Sequence, residues 1–225
     1  MFRRLSDRVS ALDLIKPSGW RLTMHAVRLK GGGLLVHSPV RPHPEVFDAL
    51  EALGTPSILL APNHFHHVAL PRYRERYPKA RALASAGARP RLARKGHADL
   101  GDIAGEKLPG VRLLPCEHVK NGETMVVVDD EGGPTLLVCD AFFNVPGPLT
   151  GFEGWFLRMT STGPDLSLGK TYRFAGIGDP RAYAAWLEET LAEIRPRRVS
   201  FSHGDPIEGD DVVDRLLVAL RRALE

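Results

Sequence analysis

The sequence predicts a layered α/β domain. Short apolar runs of strand length recur along the chain, stretches with helical spacing separate them, and turns rich in glycine and proline bound both. The 225 residues are 43% hydrophobic and 25% charged, the ordinary balance of a globular chain with one sizeable core. A single domain over 1–225 is expected.

The opening stretch MFRRLSDRVSALDL is basic and amphipathic, without the apolar segment or cleavage site of a secretory signal. Residues 20–29 (WRLTMHAVRL) and 33–38 (GLLVHS) read as a strand pair across KGGG. Residues 43–53 (HPEVFDALEAL) have helical spacing and stop at Gly54. Residues 57–61 (SILLA) lie between Pro56 and Pro62 and form a buried strand. Residues 69–77 are helical and 80–85 a strand, while 86–110 show no clear period. Strands follow at 111–115, 124–130 and 135–140, separated by KNGE and EGGP. Residues 141–178 read as long loops with one short helix near EGWFLRM. Asp179-Pro180 starts a helix, since a capping carboxylate precedes a proline at the first helical position. A strand at 198–202 and an amphipathic helix over 208–223 close the chain.

No run approaches the roughly 18 apolar residues of a membrane span. Two cysteines, Cys116 and Cys139, make no disulfide framework and point to the reducing cytoplasm. The formal charge is +3, and the densest basic stretch, RPRLARKGH at 89–97, reads as a solvated helix face. Neither a nucleic acid nor a membrane is therefore an expected partner, and a small-molecule substrate is. No feature sets the oligomeric state.

Chemistry concentrates where the apolar runs end. His64, His66 and His67 follow ILLA, His118 follows VRLLP, Asp140 ends TLLVC, and His203 follows VSFS. Open α/β sheets place their sites at strand ends. If these strands share a direction, the six side chains converge. Imidazole and carboxylate are ligands for a divalent metal, zinc first, with iron or manganese as alternatives. On an extended segment His64 and His66 share a face and His67 points elsewhere. His25, His37, His43 and His97 read as structural. Phe142, Phe143, Phe152, Trp155 and Phe156 lie close after Asp140 and read as loop packing or as an apolar wall.

APNHFHH, His118, VCDAFFN and SHGD, in that order over about residues 20–220, resemble the metallo-β-lactamase superfamily, and within it an uncharacterised branch. The resemblance implies an αββα four-layer sandwich. It also implies a metal-dependent hydrolase acting on an unknown ester, lactone, thioester or phosphoester. The alternative is a vestigial member that binds metal or ligand without turnover.

Two registers of the first motif are open. His64 and His66 can stand on the family's first two histidines. In the preferred register Pro62 stands on the first, His64 on the second, His66 on the family's aspartate and His67 on its last histidine. That register leaves His64 and His118 at one metal position and assembles His66, His67, Asp140 and His203 at the other. One ion is expected rather than two, because two divalent ions would face a single carboxylate. Asp140 and His66 are the expected catalytic groups. Ser38 stands where the family has a supporting aspartate.

Overall fold

The computed structural model describes residues 1–147, 150–151, 155, 166–169 and 172–225. Seven strands form one sheet in chain order: β1 (Arg3–Arg4), β2 (Val9–Ile15), β3 (Arg21–Arg28), β4 (Leu34–His37), β5 (Pro56–Leu60), β6 (Arg81–Ala84) and β7 (Gly101–Asp102). β1 to β4 pair antiparallel, and β4 to β7 pair parallel. Parallel neighbours need crossovers, and these carry α1 (Pro44–Glu51), α2 (Leu70–Arg76) and α3 (Arg89–Ala93).

The second sheet contains β8 (Val111–Pro115), β9 (Thr124–Val128), β10 (Thr135–Val138), β11 (Arg198–Phe201) and β12 (Ile207–Glu208), in the spatial order β12-β11-β10-β9-β8. Only β10 and β11 are parallel neighbours here. The long connection between them includes α4 (Pro180–Ile194), and α5 (Val212–Leu224) follows β12.

Alternation along the strands builds the expected four layers. Leu35, Ile58, Leu60, Val126, Val128 and Leu137 meet between the sheets. Their neighbours Leu34, Val36 and Leu59 pack on Leu50, Leu70, Tyr73 and Leu92 of the first three helices. On the other side Met125, Val127, Leu136 and Val138 meet Tyr183, Leu187 and Leu191 of α4 and Leu216 and Leu220 of α5. Strands buried on both faces explain the unbroken apolar runs SILLA and TMVVV.

The Asp179 cap is present: Oδ1 accepts from the backbone N–H of Arg181 and Ala182 at 3.0 and 3.1 Å. Residues 86–110 resolve into α3, β7 and a 3₁₀ turn at Ile103–Gly105. The opening stretch differs from its bland sequence reading, because it supplies β1 and β2. Mid-strand Asp13 would argue against a strand, but Thr23 opposite it in β3 donates its hydroxyl at 2.8 Å. That partner cannot be seen within the stretch itself. Among the described residues no helix is long and apolar enough to cross a membrane.

Strand direction positions the site. The parallel pair β4 and β5 ends at Ser38 and at residues 61–67, and the parallel pair β10 and β11 ends at Asp140 and His203.

Candidate functional site

Three side chains from three strand ends meet at their tips. His203 Nε2 lies 3.0 Å from Asp140 Oδ1. His66 Nε2 lies 3.3 Å from the same oxygen and 3.2 Å from His203 Nε2. All three side chains are largely shielded from solvent.

Local structure explains how each arrives. β5 ends in Ala61-Pro62, and the chain then turns about Asn63, whose Oδ1 accepts from the N–H of Phe65 (2.8 Å) and His66 (3.1 Å). Such an Asx turn is a local signature of asparagine. The same residue donates Nδ2 to Asp140 Oδ2 at 2.7 Å, so one buried amide holds His66 and Asp140 together. Asp140 is fixed from behind by Glu123, which is fully buried just before β9. Its Oε1 accepts the backbone N–H groups of Cys139, Asp140 and Ala141 at 3.1, 2.9 and 2.9 Å. Its Oε2 accepts from Asn121 at 3.1 Å. Burial first, and then the charge of Asp140, push the Glu123 carboxyl up to about 7. In SHGD, the residue after His203 must be glycine, because a Cβ at Gly204 would meet the Asn144 carbonyl oxygen at 2.0 Å. Trp20 and Phe143 stack on His203 with centroids at 4.6 and 5.4 Å.

The outer nitrogen of each imidazole is already engaged. His203 Nδ1 donates to the Arg21 carbonyl at 3.0 Å. His66 Nδ1 is 2.8 Å from Ser38 Oγ. Ser38 holds that position from a left-handed backbone, φ 56°, immediately after β4. A carbonyl only accepts, so His203 carries its proton on Nδ1 and a neutral ring turns the lone pair of Nε2 toward Asp140. Two lone pairs at 3.0 Å repel unless a cation stands between them, either a proton or a metal ion. Burial alone would raise the Asp140 carboxyl, but His66 and His203 hold it well below the usual carboxylate range. Burial opposes protonation of His66, yet the charge and hydrogen bond of Asp140, with Glu123 beyond, raise it above its ordinary value.

The donor set fits a divalent ion. Ligand atoms on a tetrahedral centre with bonds of about 2.0–2.1 Å stand about 3.3 Å apart, and the three pairs here stand at 3.0, 3.2 and 3.3 Å. The ligand atom of Cys139 lies within 4.8 Å of those of His66 and Asp140. His203 makes the shorter contacts, and the Cys139 thiol is fully buried.

The remaining expected residues go elsewhere. His67 Nδ1 pairs with His97 Nε2 at 3.0 Å, away from Asp140. His64 donates Nδ1 to the Asn121 carbonyl at 2.9 Å and accepts from Arg91 on Nε2 at 3.1 Å, so neither nitrogen is free. His118 is 42% exposed in its side chain and stands nearest Glu117, at 3.9 Å. The anticipated quartet of His66, His67, Asp140 and His203 is thus met by three of its members. The sequence reading placed His64 and His66 on one face of an extended segment, but residues 63–68 form turns and send them apart. Of the aromatic group, Phe142 and Phe143 are buried, Trp155 is exposed, and Phe152 and Phe156 lie outside the described residues. Asn63 and Glu123 were not anticipated. Their signals were an asparagine in the turn after a strand, and a carboxylate directly against the apolar run TMVVV.

No family model and no curated protein matches this chain. Solved structures do. A metallo-β-lactamase from Pontibacter korlensis is 13% identical, covers 98% of each chain and superposes with a TM-score of 0.66. The metallo-β-lactamase FIM-1 from Pseudomonas aeruginosa, in its mono-zinc form, is 12% identical over 99% of this chain and 95% of its own, TM-score 0.66. A metallo-β-lactamase from Hirschia baltica is 12% identical over 98% and 97%, TM-score 0.63.

Proposed function

From a chain with the metallo-β-lactamase fold, we propose a metal-dependent hydrolase in which His66, Asp140 and His203 hold one divalent ion, zinc in the first instance. One observation carries the reading. Two imidazole nitrogens and a carboxylate oxygen, from three separate strand ends, stand at the mutual spacing of ligands on a tetrahedral ion. When bound, such an ion supplies Lewis acidity for a carbonyl or phosphoryl oxygen and lowers the pKa of water toward neutrality. The chain supplies the rest. Ser38 and the Arg21 carbonyl set the ring orientations, as partners behind metal ligands do. Asn63 ties down Oδ2 of Asp140 and leaves Oδ1 for the centre, where it can receive a proton from the attacking water. Trp20 and Phe143 exclude water from one side of His203. His66 lines a broad groove through which a small-molecule substrate, an ester, lactone, thioester or phosphoester, reaches the centre.

One ion is preferred to two because Pro62 offers no ligand and His64 spends both nitrogens on Asn121 and Arg91. The same observation favours a second reading, ligand binding without turnover. Both cysteines are free and buried, in keeping with a reducing, cytoplasmic setting.

Elemental analysis of protein purified without a chelating tag, followed by an ester, thioester and phosphodiester panel with and without chelator, tests both readings. The hydrolase reading expects one equivalent of metal per chain and hydrolysis that stops on chelation and returns with zinc. Metal without turnover on any class would favour the binding reading. Absence of metal after incubation with excess zinc, iron and manganese would end both, and two tightly held equivalents would overturn the one-ion assignment.

A further inference from the structure

Beside the site lies a groove of about 1120 Å³. It runs from Ser38 and His66 along residues 39–44 to the outer sides of α1 and α2. Val40, Phe47, Phe65 and Val68 give it an apolar lining. Phe65 is 51% exposed and Val68 79%, and both belong to the turn that presents His66. Large apolar side chains held in water next to a polar centre gain when a ligand covers them. Pro39, Pro42 and Pro44 fix the backbone of the opposite wall, so the groove is formed before anything binds.

Charge is unevenly spent along this groove. Arg76 is committed to Glu51 at 2.9 Å, and Arg72 reaches Glu75 at 3.4 Å. Arg41 lines the groove, is exposed and makes no ion pair among the described residues. An apolar channel with one uncommitted guanidinium complements a molecule with an apolar body and one anionic group.

We propose that the groove binds an amphipathic anion, with its apolar chain along Val40, Phe47, Phe65 and Val68 and its negative group at Arg41. The substrate class is then an ester or thioester of a long apolar acid that also carries a negative charge. This deepens the hydrolase reading and rests on it only for the bond being cut beside His66.

Binding is measured on the full chain as purified and again after chelation. The probe is the fluorescent fatty acid dansyl-undecanoate, displaced by decanoate, decanol or acetate. Decanoate is expected to displace it at least about tenfold more effectively than decanol or acetate. Phe65→Ser and Val68→Ser each weaken decanoate by about tenfold. Arg41→Gln brings decanoate down to the level of decanol and leaves decanol unchanged. The three side chains are exposed, so the variants keep the fold, which circular dichroism checks. Acetate competing as well as decanoate, or decanoate affinity indifferent to all three substitutions, overturns the proposal. Chain-dependent binding without metal-dependent hydrolysis supports it and removes the hydrolase reading. Metal-dependent hydrolysis with no preference for decanoyl over acetyl esters, and no chain-dependent binding, does the reverse.

Discussion

His66 and His67 are adjacent in sequence and face opposite electrostatic surroundings. His66 turns toward Asp140 and Glu123, and its proton affinity rises. His67 turns toward His97 and Lys95, and burial first, with those cations second, holds it down to about 4. His64, two residues earlier, is lowered by burial and by Arg91 and Lys95 despite its bond to the Asn121 carbonyl. One short motif therefore contains an imidazole set against carboxylates and two set against cations. A divalent cation is welcome only on the first side. Residue type made all three candidates, and the direction of a turn separated them.

The strongest way to break this comparison is to remove ligands from each side. Asp140→Ala and His203→Ala should cost metal affinity at least about a thousandfold, more than the 10–100-fold typical of supporting residues. His67→Ala should leave metal content unchanged. Metal analysis after gel filtration reads both, and a His67→Ala protein emptied of metal would mean the two sides are one site.

Glu123 is the next test, because it anchors the carboxylate side from within the core. Glu123→Ala orphans three backbone N–H groups at residues 139–141 and should lower unfolding free energy by about 3 kcal/mol. Arg91→Gln, on the cationic side and partly solvated, should change stability by less than about 1 kcal/mol. Urea denaturation of the two variants gives the contrast directly, and equal losses would refute it.

Proton uptake sharpens the same comparison. His25 and His37 face each other between the sheets, Nδ1 to Nδ1 at 3.2 Å, and His25 also bonds Ser200 at 2.8 Å. Burial first holds His25 down to about 3, and burial lowers His37 as well. The unfolded chain binds protons at these groups near pH 6.5, and the folded chain does not until far lower. Their contribution to stability is therefore complete above pH 6.5 and is lost as pH falls toward 3, at up to about 1.4 kcal/mol per pH unit for His25 alone. Depressed His64, His67 and His97 act in the same direction, against raised His66 and Glu123. Melting temperature should fall steadily from pH 7 to pH 5, and a flat profile would mean that the buried imidazoles are already charged.

The smallest effect belongs to Ser38. Ser38→Ala removes the contact at His66 Nδ1 and frees the ring to rotate, which should weaken metal binding about tenfold in a competition against a chromogenic chelator. No change would leave Ser38 a turn residue and nothing more.

Much of the layered fold was legible in order. Runs such as SILLA and TLLVC announce strands buried on both faces, and Asp179-Pro180 announces a helix, because both signals are local. β2 was not legible, because Asp13 is tolerated in it only through Thr23 on the neighbouring strand. At the site, Asp140, His66 and His203 could be named from their places after apolar runs. The turn that divides His66 from His64 and His67 could not. It depends on Asn63 bonding forward to its own turn and across to Asp140, 77 residues away.

By itself the sequence determined which residues are chemically able to hold a cation and that they stand at strand ends. Residue chemistry and period are properties of short segments. Tertiary structure decided which of them meet. The parallel pairing of β4 with β5 and of β10 with β11 brings four strand ends to one edge. There, buried Glu123 and Asn63 aim one carboxylate at two imidazoles and leave the other histidines to cations. Proximity of that kind is set by packing between distant segments, and no short stretch of the chain encodes it.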